Sequence, residues 1–187
     1  MSIEAEPLPS LEYLHQRLDY DPKTGVLTWR PKSGATREER RWNSRYAGKP
    51  TGHLRPDGYL EVNLDYRLIL AHRIAYALGK GKPIPESYEV DHRNRKRSDN
   101  KLRNLRLATR IENSRNCGSK GREDPSIPRG VHWHRKEEKW VARIIVYGRR
   151  LHLGSYHDLS EASRVVEKAR KKYHKEFAYS KEVDHAS

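Results

Sequence analysis

Asp91 and His92 stand side by side, and Asn104 and Asn113 follow within one short stretch. A carboxylate, an imidazole and amides on one supersecondary unit suit a single chemistry. Carboxylate and amide oxygens hold a hard divalent ion, Mg²⁺ or Mn²⁺, in preference to a soft metal. A neutral imidazole beside them can take a proton from a water that attacks phosphorus in line. The ion would neutralise charge on the phosphorane and on the leaving 3′ oxygen. These residues therefore predict cleavage of a phosphodiester, with Asp91, His92 and Asn113 as the catalytic group and Asp91 and Asn113 as ligands of one ion.

For these groups to meet, Glu89–His92 must be a strand that returns through a loop to a second strand at Leu105–Ala108. A helix over 109–117 then brings Asn113 to face the end of the first strand. Neighbouring strand residues point to opposite faces, so Asp91 and His92 approach a phosphate from different sides. A backbone or side-chain carbonyl is expected at the second imidazole nitrogen, where it sets the tautomer. The connecting loop, Arg93-Asn94-Arg95-Lys96-Arg97, is strongly basic. From Asp91 to Arg122 there are 11 Lys/Arg and 3 Asp/Glu, so +8 of the chain's net +14 lies here. Such side chains, Arg95 and Arg97 among them, can hold a phosphate backbone but do not read sequence.

Ahead of this unit, Ser10 is placed to cap a helix bearing Leu11, Leu14 and Leu18 on one face. Asp21-Pro22-Lys23-Thr24-Gly25 is a turn, and Val26–Trp29 a strand. Arg37–Arg45, polar and mixed in charge, reads as a mobile loop. Gly58–Leu64 alternates as a strand. A turn at Asp65-Tyr66-Arg67 leads to a partner strand, Leu68–Leu70. A helix over Ala71–Leu78 is stopped by Gly79 and Gly81.

Several pieces of this region, Tyr20-Asp21-Pro22-x-x-Gly25-x-Leu27-x-Trp29, Gly58-Tyr59, Ala71-His72-Arg73, Val90-Asp91-His92, Asn104-Leu105-Arg106 and Glu112-Asn113, carry a resemblance. Over residues 8–116 the chain resembles HNH endonucleases, especially the homing-type members of phages. The resemblance implies a ββα-metal fold, His92 as general base, and Asp91 and Asn113 as metal ligands. It implies that Asn104 braces the loop by hydrogen bonds without touching metal. His72 and Arg73 match a recurrent His-Arg pair and are carried over as possible phosphate contacts, although His72 on an amphipathic helix also reads as structural. The basic loop departs from the acidic or neutral loops common in the family.

Cys117–Arg129 has the Gly, Pro and polar composition of a linker. Beyond it come three strands, at about 131–136, 139–147 and 150–156, and a helix at about 159–174. Trp140, Ala142, Ile144 and Val146 share one strand face; Arg143 lies on the other. His132 and His134 separate from Val131 and Trp133, and Arg150 and His152 from Leu151 and Leu153. The helix stripe Leu159, Ala162, Val165, Val166, Ala169 and Tyr173 covers the apolar side, leaving an Arg/His face free. Gly130-Val131, Lys139-Trp140-Val141-Ala142, Leu153-Gly154-x-Tyr156 and Glu161-Ala162 resemble the DNA-binding domain of the Apetala-2/ethylene-response-factor family. By position, the DNA-reading residues implied are Arg129, His132, His134, Arg143, Arg150 and His152. Several arginines and a tryptophan of that family are replaced here, so its target sequence does not transfer. A zinc site on His132, His134 and His152 is the competing reading, and no fourth ligand is evident.

Composition sets the outer limits. The chain has 187 residues, 34% hydrophobic and 34% charged, with pI about 9.9. That balance favours two small modules over one large core and a polyanionic partner, duplex DNA first. No apolar run reaches the roughly 18 residues of a membrane span. The acidic start lacks a signal-peptide pattern, so the expectation is an intracellular, cytoplasmic protein with no membrane role. Cys117 is the single cysteine, which excludes an intrachain disulfide and Cys-x-x-Cys zinc sites. No obligate protein partner is evident.

The expected fold class is α+β: a ββα-metal HNH nuclease module followed by a three-stranded antiparallel sheet packed on one helix. The expected segments are 1–49, an N-terminal helix, strand and loop region; 50–117, the nuclease; 118–128, a linker; 129–178, the sheet domain; and 179–187, a tail. The function expected is a metal-dependent DNA endonuclease of phage homing type, tethered to duplex DNA by its second module. The alternatives are a catalytically inactive DNA-binding regulator and an RNA-binding protein.

Overall fold

The computed structural model describes residues 7–116 and 126–178. Cys117, most of the expected linker, the tail 179–187 and the first six residues lie outside the described residues. The chain is a mixture of helices and small antiparallel sheets, an α+β protein. It divides into two compact units, one ending at Arg110 and the other beginning at Ile111.

The first unit opens with α1 (Leu11–Arg17), capped by Ser10, whose hydroxyl accepts from the Tyr13 amide. β1 (Leu18–Tyr20) pairs with β2 (Leu27–Trp29). α2 (Arg37–Tyr46) follows, and β3 (Pro50–Thr51) then adds to β2. β4 (His53–Leu54), β5 (Leu60–Leu64) and β6 (Arg67–Leu70) form a second antiparallel sheet. α3 (Ala71–Lys80) leads to β7 (Glu89–His92), which pairs with β8 (Leu105–Ala108) in the register Asp91 opposite Arg106 and His92 opposite Leu105. Leu14, Leu18, Leu27, Val62, Leu64, Ile69, Ile74 and Leu78 make the main core. A smaller cluster of Ala75, Val90 and Leu105 seats the β7–β8 hairpin on α3. The buried positions Ala71, Ile74, Ala75, Ala77 and Leu78 thus let one helix serve both clusters.

Two expectations are corrected here. Arg37–Arg45 is not a loop but the helix α2. Thr36 accepts from the Glu39 amide, and the Glu39 carboxylate accepts in return from the Thr36 amide, a capping box. The Asn43 amide bonds both backbone groups of Lys32, and Trp42 sets its ring edge-on to Trp29 at 5.5 Å. A helix with no buried residue is thus held by its cap and by side-chain contacts. Gly79, expected as a stop, lies inside α3: a Cβ there would come within 2.8 Å of both Leu102 and Tyr20. The stop is Gly81, in the left-handed region at φ 60°.

α4 (Arg110–Asn116) spans the division between the units. In the second unit β9 (Val131–His134), β10 (Lys139–Val146) and β11 (Arg149–Tyr156) form an antiparallel sheet with β10 in the centre. α5 (Leu159–His174) covers it. Val131, Ala142, Ala162 and Val166 form the core, with Trp140, Leu153, Tyr156 and Leu159 packed around them. Asp158 caps α5 by accepting from the Glu161 amide. A bulge shifts the register so that Ala142 faces Gly154 while Arg143 faces His152. Leu153 is the extra residue, and its presence puts His152 and Arg150 on the face that Ser155 occupies.

Candidate functional site

His92 ends β7 and is only 3% exposed. Its Nε2 stands 3.0 Å from Oδ1 of the buried Asn100. The His72 ring meets it edge-on at 4.9 Å, and Tyr59 lies 5.9 Å from His92 and 5.2 Å from His72. Burial pushes the His92 imidazole below its ordinary value, against an opposing pull from the Asn100 hydrogen bond and the Asp91 charge. Burial lowers His72 further, to about 3, with His92 and Arg73 adding to the effect. Both rings are therefore neutral at pH 7. His72 Nδ1 is buried with no hydrogen-bond partner. Any phosphate contact by His72 would be made by a neutral N–H, not by a charge.

Asp91 is 8% exposed and faces the opposite way, as strand alternation requires. Its Oδ2 accepts from both Nε and Nη2 of Arg106, at 2.9 and 2.8 Å, in a buried ion pair. The sequence marks Arg106 only as part of Asn104-Leu105-Arg106, with no role of its own; the hairpin register places it directly across from Asp91.

The loop between β7 and β8 is closed by Asn104. Its side-chain oxygen accepts from the Asn94 amide at 3.0 Å, and its nitrogen donates to the Asp99 carbonyl at 2.7 Å. Its own carbonyl accepts from the Arg93 amide. Asn94 in turn donates to the Asp99 carboxylate at 2.8 Å. Arg97 lays its guanidinium over the Tyr59 ring at 4.7 Å and donates to the Asp57 carbonyl at 2.7 Å, so it links the loop to the turn before β5. Arg95 is half-buried in a left-handed conformation at the loop's turn. Arg73 is half-buried on α3 and lowered by burial. Asn113 sits on the part of α4 that belongs to the second unit.

In the second unit a depression of about 540 Å³ is lined by His132, His134, Glu137, Val141, Arg143, Arg150, His152 and Ser155. Five of the six residues expected to read DNA meet there. Arg129 does not line it; its guanidinium lies 3.5 Å from the Ser114 carbonyl, and its own carbonyl accepts from Arg170. Burial and then the charges of Arg143 and its neighbours lower His132. Among the described residues, no group of three His, Cys, Asp or Glu side chains could hold a metal ion. Also among the described residues, no helix is long and apolar enough to cross a membrane.

The HNH endonuclease family matches residues 70–115, from the start of α3 through α4. Protein 3.8 of Escherichia phage T7 is 31% identical over 96 residues, which is 51% of this chain and 78% of that protein. No solved structure matches the chain.

Proposed function

We propose, for a chain that belongs with phage T7 Protein 3.8 in one family and carries an HNH endonuclease domain, that it is a metal-dependent endonuclease of duplex DNA. The observation that carries this reading is the neutral, buried His92 beside the Asp91 carboxylate on one hairpin within the matched residues. His92 is the general base. A ring already neutral at pH 7 can accept the proton of the attacking water. Arg106 orients Asp91, and Asn104 keeps the loop from opening.

Carboxylate and amide oxygens suit a hard divalent ion, Mg²⁺ or Mn²⁺, and in a ββα-metal arrangement Asp91 and Asn113 would hold it. When bound, that ion supplies charge neutralisation at the phosphate. In the second unit the face of His132, His134, Arg143, Arg150 and His152 grips duplex DNA, in the manner of an Apetala-2-type sheet, and keeps the nuclease near its substrate. Arg129, which does not line that face, is a further DNA contact in this reading. For a monomer, a single active site cuts one strand, and a nick is the product expected. A phage homing-type enzyme is the reading, and the relative is a phage protein.

A second reading, a DNA-binding regulator that does not cut, is favoured by one observation: a buried guanidinium already compensates Asp91. Nicking of supercoiled plasmid and of phage genomic DNA, with Mg²⁺ and with EDTA, separates the two. Metal-dependent nicks on either substrate are expected. Intact DNA in both, from a protein that still shifts duplex, would replace the nuclease with the regulator. Preference for structured RNA over duplex DNA at physiological salt would overturn the choice of partner.

A further inference from the structure

We propose that Asn100 is the positioning residue of the nuclease site, and that the segment Leu18–Trp29, outside the family-matched stretch, holds Asn100 in place. The proposal rests on His92 being the general base. An imidazole acts as a base only through the nitrogen that lacks a proton, so something must fix which one that is. An amide oxygen can only accept. With Asn100 Oδ1 at 3.0 Å from Nε2, the neutral ring carries its proton on Nε2 and its lone pair on Nδ1. The Asn104 amide, by contrast, is directed at Asn94 and Asp99 and braces the loop.

Asn100 is itself 2% exposed and fixed along its backbone. Its carbonyl accepts from the Tyr20 hydroxyl at 2.7 Å. The peptide that follows lies against Gly25, where a Cβ would come within 2.6 Å of Asn100 C and 2.5 Å of Lys101 N. One residue on, the Leu102 amide donates to the Pro22 carbonyl at 3.1 Å. Gly79 lets α3 close against the Tyr20 ring and Leu102. Three contacts, one from the end of β1 and two from the turn that follows it, thus converge on the stretch Asn100–Leu102. The Tyr20-Asp21-Pro22-x-x-Gly25 pattern gains a specific role: it supports the residue that orients the base.

The test uses the full chain at pH 8 with Asn100→Asp, Asn100→Leu and Tyr20→Phe, and His92→Ala as the reference. Two readouts are taken: the ¹⁵N shifts of the His92 ring without added metal, and kcat and KM for nicking. The wild type should show the proton on Nε2. Asn100→Asp, which keeps an acceptor oxygen, should hold that tautomer and cut within about tenfold of wild type. Asn100→Leu, similar in size but unable to accept, should mix the tautomers and lower kcat by about 100-fold or more with KM little changed. Tyr20→Phe should lower kcat roughly several-fold, by loosening Asn100 alone. A wild-type ring protonated at Nδ1, or a folded Asn100→Leu that cuts at the wild-type rate, overturns the proposal. Should Asn100→Leu not fold, the wild-type tautomer and Tyr20→Phe decide it. Full activity in His92→Ala would instead remove the base itself, a separate failure.

Discussion

His72 and His92 lie ring against ring in the first unit, both buried and both shifted toward the neutral form. The folded value of His72, about 3, is below the unfolded value near 6.5. Between those pH values the unfolded chain binds the proton and the folded chain does not. Stability should therefore be fully present above about pH 6.5 and fall as pH drops toward 3, with a slope approaching about 1.4 kcal/mol per pH unit. Urea unfolding across this range should show that slope, and His72→Phe should flatten it. Arg106→Leu strands a buried carboxylate without its guanidinium and should destabilise the first unit by about 3–5 kcal/mol, again read by urea unfolding. An unchanged midpoint would mean that Asp91 has enough other support. Asp91, His92 and Asn104 stand out in the sequence by type and spacing, and the catalytic roles given to Asp91 and His92 are proposals. Asn100 and the pairing of Arg106 with Asp91 do not stand out in this way, for different reasons. Arg106 follows from the register once the hairpin is accepted, whereas Asn100 sits in an irregular loop where no periodicity says which side chain turns inward.

At the scale of elements, the strands and helices with a clear hydrophobic period were legible. The helix expected at about 159–174 is Leu159–His174, and the hairpin strands Glu89–His92 and Leu105–Ala108 stand as expected. α2 was missed because it buries nothing; its only signal was Thr36-x-x-Glu39, a pattern of capping rather than hydrophobicity. Thr36→Ala should cost about 1 kcal/mol and be seen as lost helix content near Trp42. The bulge at Leu153 was also missed, since alternation alone gives an uninterrupted strand. Gly154, at φ +131°, makes the bulge possible, and an added Cβ would stand 2.6 Å from the Tyr156 hydroxyl oxygen. Gly154→Ala should destabilise the second unit by about 1–3 kcal/mol and weaken duplex binding by turning Arg150 and His152 off the shared face. Wild-type affinity in a variant whose bulge is lost would show that the face does not grip DNA.

For the whole molecule, the net charge of +14 predicts duplex affinity that falls steeply with salt. Replacing Arg143 and Arg150 by Gln should lower the magnitude of the log K against log salt slope by about one for each phosphate no longer neutralised. The central claim, that His92 is the base of a DNA-cutting site, is tested most directly by chemical rescue. The nicking rate of His92→Ala is measured with Mg²⁺, with and without free imidazole. A loss of about 10²–10⁴-fold, restored in part by imidazole, is the result expected. Nicking by His92→Ala at the wild-type rate, with no response to imidazole, would contradict the account.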